Sequence, residues 1–314
     1  MKIESANQFK VTMESLVTIA EKYDLVLKDF TIAATGIENT TIIADCVEGM
    51  FVFRIYRKLK KTNEHIHQEI GFTEFLRSKG IQVPQIVRNN ENEYITMVTR
   101  DDTTWQIIGM DFIGGKHPAE YTARLINTMA PLQAKIHTVT NEYKSPYEGF
   151  VLDELRERQF IKHIATDDLK DNELIKFIDR AKQFCVNFTD DLPRGLCHLD
   201  FDEGNILVNK NDEITAILDF DDLAIAPFIV DLGYSLWSVW YNSDAQSARN
   251  YLESYQNSRQ LTDSEKDTLQ SVILFRHYVI CAMLVLEGKT AINDIEKYLR
   301  LEKEILTENL TKSQ

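Results

Sequence analysis

Residues 197–205 read Cys197-His198-Leu199-Asp200-Phe201-Asp202-Glu203-Gly204-Asn205, and residues 219–221 read Asp219-Phe220-Asp221. Between them lie two short apolar runs, 206–208 and 214–218, separated by the polar sequence Asn209-Lys210-Asn211-Asp212-Glu213. Apolar runs on either side of a turn-forming segment predict a β-hairpin. Because the open ends of the two strands of a hairpin lie side by side, Asn205 and Asp219 are expected to lie close together.

Three oxygen-bearing side chains in this segment form a pattern typical of phosphoryl transfer. That chemistry requires a carboxylate to orient or deprotonate the attacking hydroxyl, and further oxygen ligands to hold the Mg²⁺ that neutralises phosphate charge. Asp200 is the candidate for the first role, and Asn205 and Asp219 are the candidates for the second. A lone His-x-Asp would indicate only a polar loop, whereas the complete pattern favours a catalytic loop.

The segment resembles the aminoglycoside phosphotransferase and choline-kinase-like family, whose members carry His-x-Asp-x-x-x-x-Asn and then Ile-Asp-Phe or Ile-Asp-Trp. The sequence Ala226-Pro227-Phe228-Ile229-Val230-Asp231-Leu232-Gly233 is similar to that family's segment in which a buried Asp supports the catalytic loop. Upstream, Thr35-Gly36-Ile37-Glu38-Asn39-Thr40-Thr41 resembles the nucleotide loop of type II homoserine kinases. The resemblance covers roughly residues 30 to 240.

This resemblance implies an α+β, two-lobed, protein-kinase-like fold. The expected N-terminal nucleotide-binding lobe, residues 1–111, has an antiparallel sheet, and the larger, mainly helical C-terminal lobe, residues 112–314, carries catalysis and substrate binding. The implied cofactors are Mg²⁺ and ATP, with GTP left open. His198 and Asp231 are expected to support the catalytic loop. The candidates for contact with the acceptor are Asp202, Asp222, Trp237 and Tyr241, and Asp221 is an alternative to Asp222.

The nucleotide site departs from the family pattern at one position. Where the family has a phosphate-binding Lys on its third strand, the sequence Phe51-Val52-Phe53-Arg54-Ile55-Tyr56-Arg57 offers Arg54. In kinases this basic residue pairs with a Glu on the following helix, which predicts Glu69, with Glu64 as the rival. Arg keeps the charge and binds phosphate through two donors, but its shape differs from that of Lys. The alternative is an exposed Arg and a solvated Glu.

Two further segments are candidates for nucleotide contacts. Gly36, Asn39 and Thr40 lie in a predicted turn where backbone amides and short side chains approach a phosphate closely, although a plain turn is the alternative. Met110 and Phe112 lie in the expected hinge between the lobes, where their backbone groups would bond the adenine edge. The alternative for the hinge is a strand that simply ends at a Gly-Gly linker.

The remaining pattern gives a coarse architecture. Apolar residues recur at helical spacing and predict the buried face of an opening amphipathic helix of about five turns: Phe9, Met13, Leu16, Val17 and Ala20. Later helices are predicted at 63–79, 120–140, 152–190 and 244–310, and strands at 30–35, 41–46, 50–56, 94–99 and 104–112. His137 is interpreted as a core or helix-end residue, and the apolar stretch 272–286 as a buried helix because it contains Arg276 and His277.

Composition narrows the class of protein. The chain has 314 residues and a net charge of −14, which disfavours nucleic acid as a partner and mildly favours a cationic one. Its four cysteines, at positions 46, 185, 197 and 281, form no Cys-x-x-Cys pair, so a zinc site is not expected. The N-terminus lacks a signal-peptide pattern and no uninterrupted apolar stretch reaches membrane-spanning length. These features predict a cytoplasmic enzyme without a membrane partner.

The sequence therefore predicts an ATP-dependent phosphotransferase acting on a hydroxyl of a small molecule, such as an aminoglycoside, an amino alcohol or a homoserine-like metabolite. The runner-up is a Ser/Thr protein kinase, suggested by Asp219-Phe220-Asp221-Asp222, and a nucleotide-binding pseudoenzyme is the third option, suggested by Arg54. Only eleven residues, 220–230, separate Asp219 from Asp231, which leaves little platform for a peptide. Homoserine would need a basic partner for its carboxylate, such as Arg276. The acceptor and the oligomeric state stay open.

Overall fold

The structure is a computed structural model that describes residues 9–35, 39–56, 61–100, 103–146, 164, 171–184, 186, 188–286, 292–308 and 310–311. The strands are β1 Leu27–Thr35, β2 Asn39–Cys46, β3 Gly49–Tyr56, β4 Ile86–Val87, β5 Ile95–Arg100, β6 Thr103–Asp111, β7 Arg194–Cys197, β8 Ile206–Val208, β9 Ile214–Ile217 and β10 Ala224–Pro227. The described α-helices are α1 Met13–Glu21, α2 Asn63–Ser78, α3 Ala123–Val139, α4 Asn172–Gln183, α5 Phe228–Asn242, α6 Ala245–Gln256, α7 Asp263–Leu286 and α8 Ile292–Thr307.

The first six strands form one antiparallel sheet in the order β1-β2-β3-β6-β4, with β5 paired to β6. Side chains alternate between its two faces, as the period of a strand requires. One face packs against α1 through Leu16 and Ile19, and the other packs against α2 through Ile66 and Ile70. The predicted antiparallel sheet of the N-terminal region is confirmed.

The opening helix is shorter than the sequence pattern predicts. Thr12 and Ser15 form a capping box, so α1 begins at Met13 and contains nine residues. Phe9 lies before the helix and still reaches the core, where its ring meets Trp105 edge to face at 5.5 Å. Met13 and Val17 are 44% and 36% exposed, so the prediction that they belong to the buried face was wrong.

Helix α2 connects the sheet to the rest of the protein. It ends in a Schellman motif in which Gly80, at φ +70°, donates to the Arg77 carbonyl while Ile81 donates to the Leu76 carbonyl. The first half of α2 packs on the sheet, whereas Phe72 and Leu76 belong to the larger hydrophobic core of the helical region. Glu69 therefore lies on a helix that packs against both the six-stranded sheet and the helical region.

Beyond Asp111 the described architecture is mainly helical, with two small antiparallel sheets, β7-β10 and β8-β9. The predicted hairpin is β8-β9, with Ile206 opposite Ile217. It is fixed to the preceding segments by hydrogen bonds from Ile217 N to the Gln82 carbonyl and between Lys116 and Val208. The change of architecture coincides with the expected lobe boundary at residues 111 and 112, which stays a prediction.

In the described part of the chain, the segment Asp263–Val285 of α7 is long and apolar enough to cross a membrane by length and composition. Its His277 is fully buried, accepts a hydrogen bond from the Trp237 indole at Nδ1 and donates from Nε2 to the Tyr298 carbonyl. Burial lowers the pKa of His277 to about 4, which keeps the ring neutral near pH 7. The contacts of His277 are those of a core helix in a folded protein.

Candidate active site

The predicted catalytic loop begins where β7 ends at Cys197. Its second residue, Leu199, has φ +63°, a left-handed conformation that a leucine adopts only at a cost of about 1–3 kcal/mol. The Leu199 N–H donates a hydrogen bond to Asp231 Oδ1. Asp231 thereby holds the strained turn that presents Asp200.

Asp231 lies in the first turn of α5 and is 1% exposed. Its Oδ2 accepts hydrogen bonds from Gln133 Nε2 at 2.7 Å and from His137 Nε2 at 2.8 Å. Burial alone would raise the pKa of this carboxyl, but its hydrogen bonds with His137 and Gln133 and the electrostatic influence of His137 and His198 outweigh burial, and the net pKa is lowered. Asp231 is therefore an ionised, multiply bonded support for the loop.

His137 is a core residue, fully buried and stacked on Phe228 at 4.7 Å. Arg259 donates to the Tyr255 hydroxyl at 3.1 Å, and this hydroxyl lies 2.6 Å from His137 Nδ1. The network assigns Nδ1 as the acceptor and Nε2–H as the donor to Asp231. A chain of buried hydrogen bonds thus runs from Arg259 to the catalytic loop.

His198 connects the catalytic loop to the β8-β9 hairpin. Its Nε2 lies 2.9 Å from the Leu218 carbonyl, and the Asp200 N–H points at its Nδ1 at 3.3 Å. The assigned tautomer therefore donates from Nε2 and accepts at Nδ1. Leu218 N also donates to the Asn205 carbonyl at 2.8 Å, so both ends of the hairpin are tied to the loop.

Asp200, Asn205 and Asp219 converge at this end of the hairpin. The Asn205 amide nitrogen donates to Asp200 Oδ2 and to the Asp200 carbonyl, both at 2.8 Å. Asp219 has φ +63°, and its Oδ1 is buried yet accepts no hydrogen bond within the described part of the chain. A buried carboxylate oxygen without a donor is a suitable ligand for a hard cation.

Asp219 is kept ionised by its surroundings. Burial opposes ionisation, but the positive charge of Arg54, whose Nη1 lies 3.4 Å from Asp219 Oδ1, outweighs it, and the pKa of Asp219 is lowered. Among the described residues, no three His, Cys, Asp or Glu side chains gather into a metal site made of protein ligands alone. A Mg²⁺ ion here would need further oxygen ligands from phosphates and water, as is usual for this ion.

Arg54 on β3 and Glu69 on α2 form a buried ion pair with a 2.7 Å distance between Nη1 and Oε1. The same guanidinium nitrogen lies 3.3 Å from Asp221 Oδ1. Burial by itself lowers the pKa of Arg54, but Asp219, Asp221 and Glu69 together raise it well above its ordinary value. Burial also raises the pKa of Glu69 to about 7, although Arg54 opposes this shift. The rival partner, Glu64, is exposed at the start of the helix.

Asp221 lies on the Arg54 side of the site. Its carboxylate accepts from the Asn39 side chain, and Lys61 Nζ approaches its Oδ1 at 3.2 Å. The structure thus groups Asp221 with Arg54, and a contact of Asp221 with the acceptor stays a prediction. Lys61, whose side chain is 13% exposed, was not among the site residues predicted from the sequence. Its position in the basic run 57–61, directly after the third strand, was the available signal.

The other candidate nucleotide contacts have mixed placements. Gly36 lies outside the described residues. Thr40 lies in β2 opposite Thr35 and Ile55. Met110 lies inside the sheet, opposite Val52 on one side and Ile86 on the other. Phe112 directly follows the last sheet residue and is 39% exposed, so its backbone remains the better candidate for an adenine contact.

A second group of charged residues lies beside Asp200. Arg276 of α7 places Nη2 3.0 Å from Asp200 Oδ1. Burial, followed by the charge of Asp200, raises the pKa of Asp202 to about 7 and that of Asp222 to about 6. The Asp202 carboxylate also accepts from the Gly204 N–H at 2.9 Å. These residues form the candidate acceptor side of the site.

Trp237 and Tyr241 lie on α5 with their rings stacked 5.0 Å apart. Trp237 is 7% exposed and donates its indole N–H to His277, so most of its surface is used in the core. Tyr241 is half-buried, and the Lys297 ammonium lies 3.5 Å from its ring centre. Contact of either ring with substrate stays a prediction.

We predict that Asp231→Ala lowers the free energy of unfolding by about 3 kcal/mol or more. The substitution leaves the buried donors of Leu199, Gln133 and His137 without their charged acceptor, and each such loss costs about 1–3 kcal/mol. Urea unfolding of both proteins measures the difference, with Asp267→Asn, an exposed position on α7, as the control. A difference below about 1 kcal/mol would remove Asp231 from its supporting role.

Comparisons with known proteins agree with this geometry. The sequence model of the phosphotransferase enzyme family matches residues 29–266. A homoserine kinase of Granulibacter bethesdensis is 25% identical over 273 residues, which cover 83% of this chain and 82% of the relative. A homoserine kinase of Caulobacter vibrioides is 20% identical over 265 residues, with 82% of each chain covered.

Two solved structures share the fold. An amicoumacin kinase in complex with AMP-PNP and Ca²⁺ has a TM-score of 0.75 and 19% identity, covering 97% of this chain and 96% of its own. A microcompartment-associated aminopropanol kinase has a TM-score of 0.74 and 18% identity, covering 96% and 99%. Both similarities lie at identities where they show the fold alone.

The chain belongs to the phosphotransferase enzyme family. It has the two-part kinase-like fold of that family, and it is a phosphotransferase that acts on the hydroxyl group of a small molecule. The predictions of family, fold class and general activity are confirmed.

Proposed function

We propose that the protein transfers the γ-phosphoryl group of ATP, with Mg²⁺, to the hydroxyl of a small metabolite or antibiotic that carries an amino group, and that it does so in the cytoplasm. The observation that carries the choice of acceptor is the grouping of Asp202 and Asp222 beside Asp200, whose charge adds to burial in raising the pKa of both carboxyls. Carboxylates that repel one another in a partly enclosed site gain most from a nearby ammonium group. An amine on the acceptor supplies that charge.

In the proposed catalytic step, Asp200 accepts the proton of the acceptor hydroxyl. As the acceptor oxygen forms its bond to the γ-phosphorus, the bond between this phosphorus and the oxygen of the ADP leaving group breaks. The hydroxyl proton moves to the Asp200 carboxylate. Asn205, which donates to Asp200 Oδ2, fixes the orientation of that carboxylate. The products are ADP and a phosphate monoester.

On the nucleotide side, Asn205 and Asp219 would hold Mg²⁺, whose chemical contribution is to neutralise charge on the phosphates. The buried Asp219 Oδ1, which lacks a hydrogen-bond donor, fits this role. Arg54 would bind the inner phosphates, since Glu69 and Asp221 hold its guanidinium in place. Lys61 adds a second cation next to Asp221.

The names of the relatives support an amino-bearing acceptor. The curated relatives are homoserine kinases, and one structural neighbour is an aminopropanol kinase. Both named compounds combine one hydroxyl with one amine. Homoserine additionally carries a carboxylate.

An acceptor panel tests the proposal. The purified protein is incubated with ATP, Mg²⁺ and one member of a set of amino alcohols, hydroxy amino acids, aminoglycosides, neutral alcohols or Ser/Thr-containing peptides, and ADP release is measured. We expect turnover on at least one small amine and none on peptides. Efficient labelling of peptides, with no turnover on any small alcohol, would contradict the proposal and support a protein kinase.

We predict a pH dependence that separates charged from neutral acceptors. An ammonium group binds the ionised carboxylates, so kcat/KM for an amino alcohol should rise as pH increases through about 6 to 7, the pKa values of Asp222 and Asp202. Asp202→Asn should remove the upper part of the rise, and Asp179→Asn, an exposed site on α4, should leave it unchanged. An equal rise for a neutral diol would show that the two carboxylates do not bind the amine.

A further inference from the structure

Arg276 has an unusual position for a basic residue because it pairs with the catalytic carboxylate. Its Nη2 lies 3.0 Å from Asp200 Oδ1, and its side chain is 16% exposed. The guanidinium carbon lies 4.4 Å from the centre of the Tyr234 ring, and Tyr234 is itself buried on α5. A guanidinium stacked on a buried ring is held in place, so the contact with Asp200 is part of the site.

This pairing engages Asp200 on both sides. Asn205 donates to Oδ2, while Arg276 occupies Oδ1. Arg276 therefore lies on the oxygen of Asp200 that the hydroxyl of an acceptor would otherwise contact. A productive acceptor is one that takes over the Arg276 donor and leaves Asp200 Oδ1 to the hydroxyl.

The electrostatics of the neighbouring carboxylates indicate what such an acceptor carries. Arg276 is close enough to lower the pKa of both Asp202 and Asp222, in opposition to burial and to the charge of Asp200. The acceptor side therefore contains the guanidinium of Arg276 and the carboxylates of Asp200, Asp202 and Asp222. A zwitterion matches this arrangement, since its ammonium group faces the carboxylates and its carboxylate faces the guanidinium.

We propose that Arg276 binds a carboxylate of the acceptor and thereby selects hydroxy amino acids over amino alcohols and aminosugars. The inference rests on the proposed function and names the substrate class of the same site. The carboxylate of the bound acceptor replaces Asp200 as the partner of Arg276. Binding of the acceptor therefore also frees Asp200 Oδ1 from its contact with Arg276. Arg276 is then a specificity-determining residue, and Asp200 remains the group that takes the proton.

The geometry also limits the size of the acceptor. A hydroxyl oxygen bonded to Asp200 Oδ1 and a carboxylate oxygen bonded to Arg276 Nη2, each at an ordinary hydrogen-bond distance, lie at most about 8.5 Å apart, because the two protein atoms are 3.0 Å apart. An acceptor with a chain of about four carbons between the two groups stays within that limit. Small, linear hydroxy amino acids therefore fit the site.

Three commercially available compounds test the ammonium group and the carboxylate of the acceptor separately. L-Homoserine carries a hydroxyl, an ammonium and a carboxylate; 3-amino-1-propanol is the same molecule without the carboxylate; and 4-hydroxybutanoate lacks the ammonium. We expect kcat/KM of the full-length protein to be about 10–100-fold higher for L-homoserine than for 3-amino-1-propanol, the ratio that one charged hydrogen-bonded contact supplies. In Arg276→Gln the ratio should fall to within a few-fold of one, and Arg276→Lys should restore part of it.

The control is Arg300→Gln, at a position on α8 that is 72% exposed, which should keep the wild-type ratio. Magnesium-dependent ATP binding, measured by calorimetry, shows that each variant is folded. A wild-type ratio near one, or an equal loss of turnover on both probes in Arg276→Gln, would overturn the inference while leaving the proposed function intact. Absence of turnover on all three probes would overturn the inference and, if the acceptor panel also gives none, the proposed function with it.

Discussion

Replacing the catalytic carboxylate by its amide, Asp200→Asn, is expected to reduce turnover by at least about 10²-fold, the lower range for loss of a positioned acid or base. The amide has nearly the same shape as the carboxylate and can still contact Asn205, but it cannot take the hydroxyl proton. Because Asp200 is proposed to contact the acceptor and not the nucleotide, the dissociation constant for nucleotide should change little. Steady-state kinetics and calorimetric ATP titration measure the two quantities separately.

The matched control for this substitution is Asp212→Asn, another Asp-to-Asn change in an exposed turn of the β8-β9 hairpin. Asp212 has φ +56°, a conformation that Asn also adopts readily, so the control should fold normally. Turnover near the wild-type value in Asp200→Asn would remove Asp200 from its proposed role. A parallel loss in the control would show that the hairpin, not the carboxylate, was affected.

The substitution Asp219→Ala is expected to abolish the tightening of ATP binding by Mg²⁺, and Asn205→Ala is expected to weaken it. Asp219 supplies the buried oxygen that accepts no hydrogen bond in the described structure, and two oxygen ligands are a usual protein contribution to a Mg²⁺–nucleotide complex. Turnover should fall with the metal dependence, since the phosphate charge is no longer neutralised.

Calorimetric titration of ATP with and without Mg²⁺ measures the effect for wild type and both variants. Asp45→Ala, in a surface ion pair with Lys28 near the end of β2 remote from Asn39, is the control. Asp219→Ala also removes one of the negative charges around Arg54, so metal-free ATP should bind it no more weakly than it binds wild type. Identical metal dependence in wild type and Asp219→Ala would refute the assignment of Asp219.

The arrangement of Asp200, Asn205 and Asp219 was predictable from sequence because it is local. One loop and one hairpin carry all three residues, and the spacing of apolar runs fixes which ends meet. The Arg54 and Glu69 pair was predictable for a similar reason, as it joins a strand to the next helix. When residues are close in sequence, their spacing largely determines their relative positions in the structure.

Other parts of the site depend on contacts between distant segments. His137 and Asp231 are 94 residues apart, and Arg276 and Asp200 are 76 residues apart. No periodicity links such pairs, so His137 was recognised only as a core residue and Arg276 only as a possible partner of a carboxylate. Packing of α3, α5 and α7 around one core brings these residues to the catalytic loop.

The errors in the fold have equally specific causes. The pattern from Phe9 to Ala20 has helical spacing, but the capping box at Thr12 makes the helix begin only at Met13, and Phe9 reaches the core from the segment before it. The strands β7 and β10, of four residues each, were not predicted, because no turn sequence joins them as one joins β8 to β9, and they pair across about 30 residues of chain. Runs this short carry little alternation, and only pairing across the fold defines them.

The most direct test of the account is a ³¹P NMR spectrum of the protein with ATP, Mg²⁺ and a small hydroxy amino acid such as L-homoserine. We expect a new phosphate-monoester resonance that grows in a one-to-one ratio with ADP and that is absent with the Asp200→Asn variant. ADP with inorganic phosphate alone, or an undiminished monoester signal from Asp200→Asn, would contradict it.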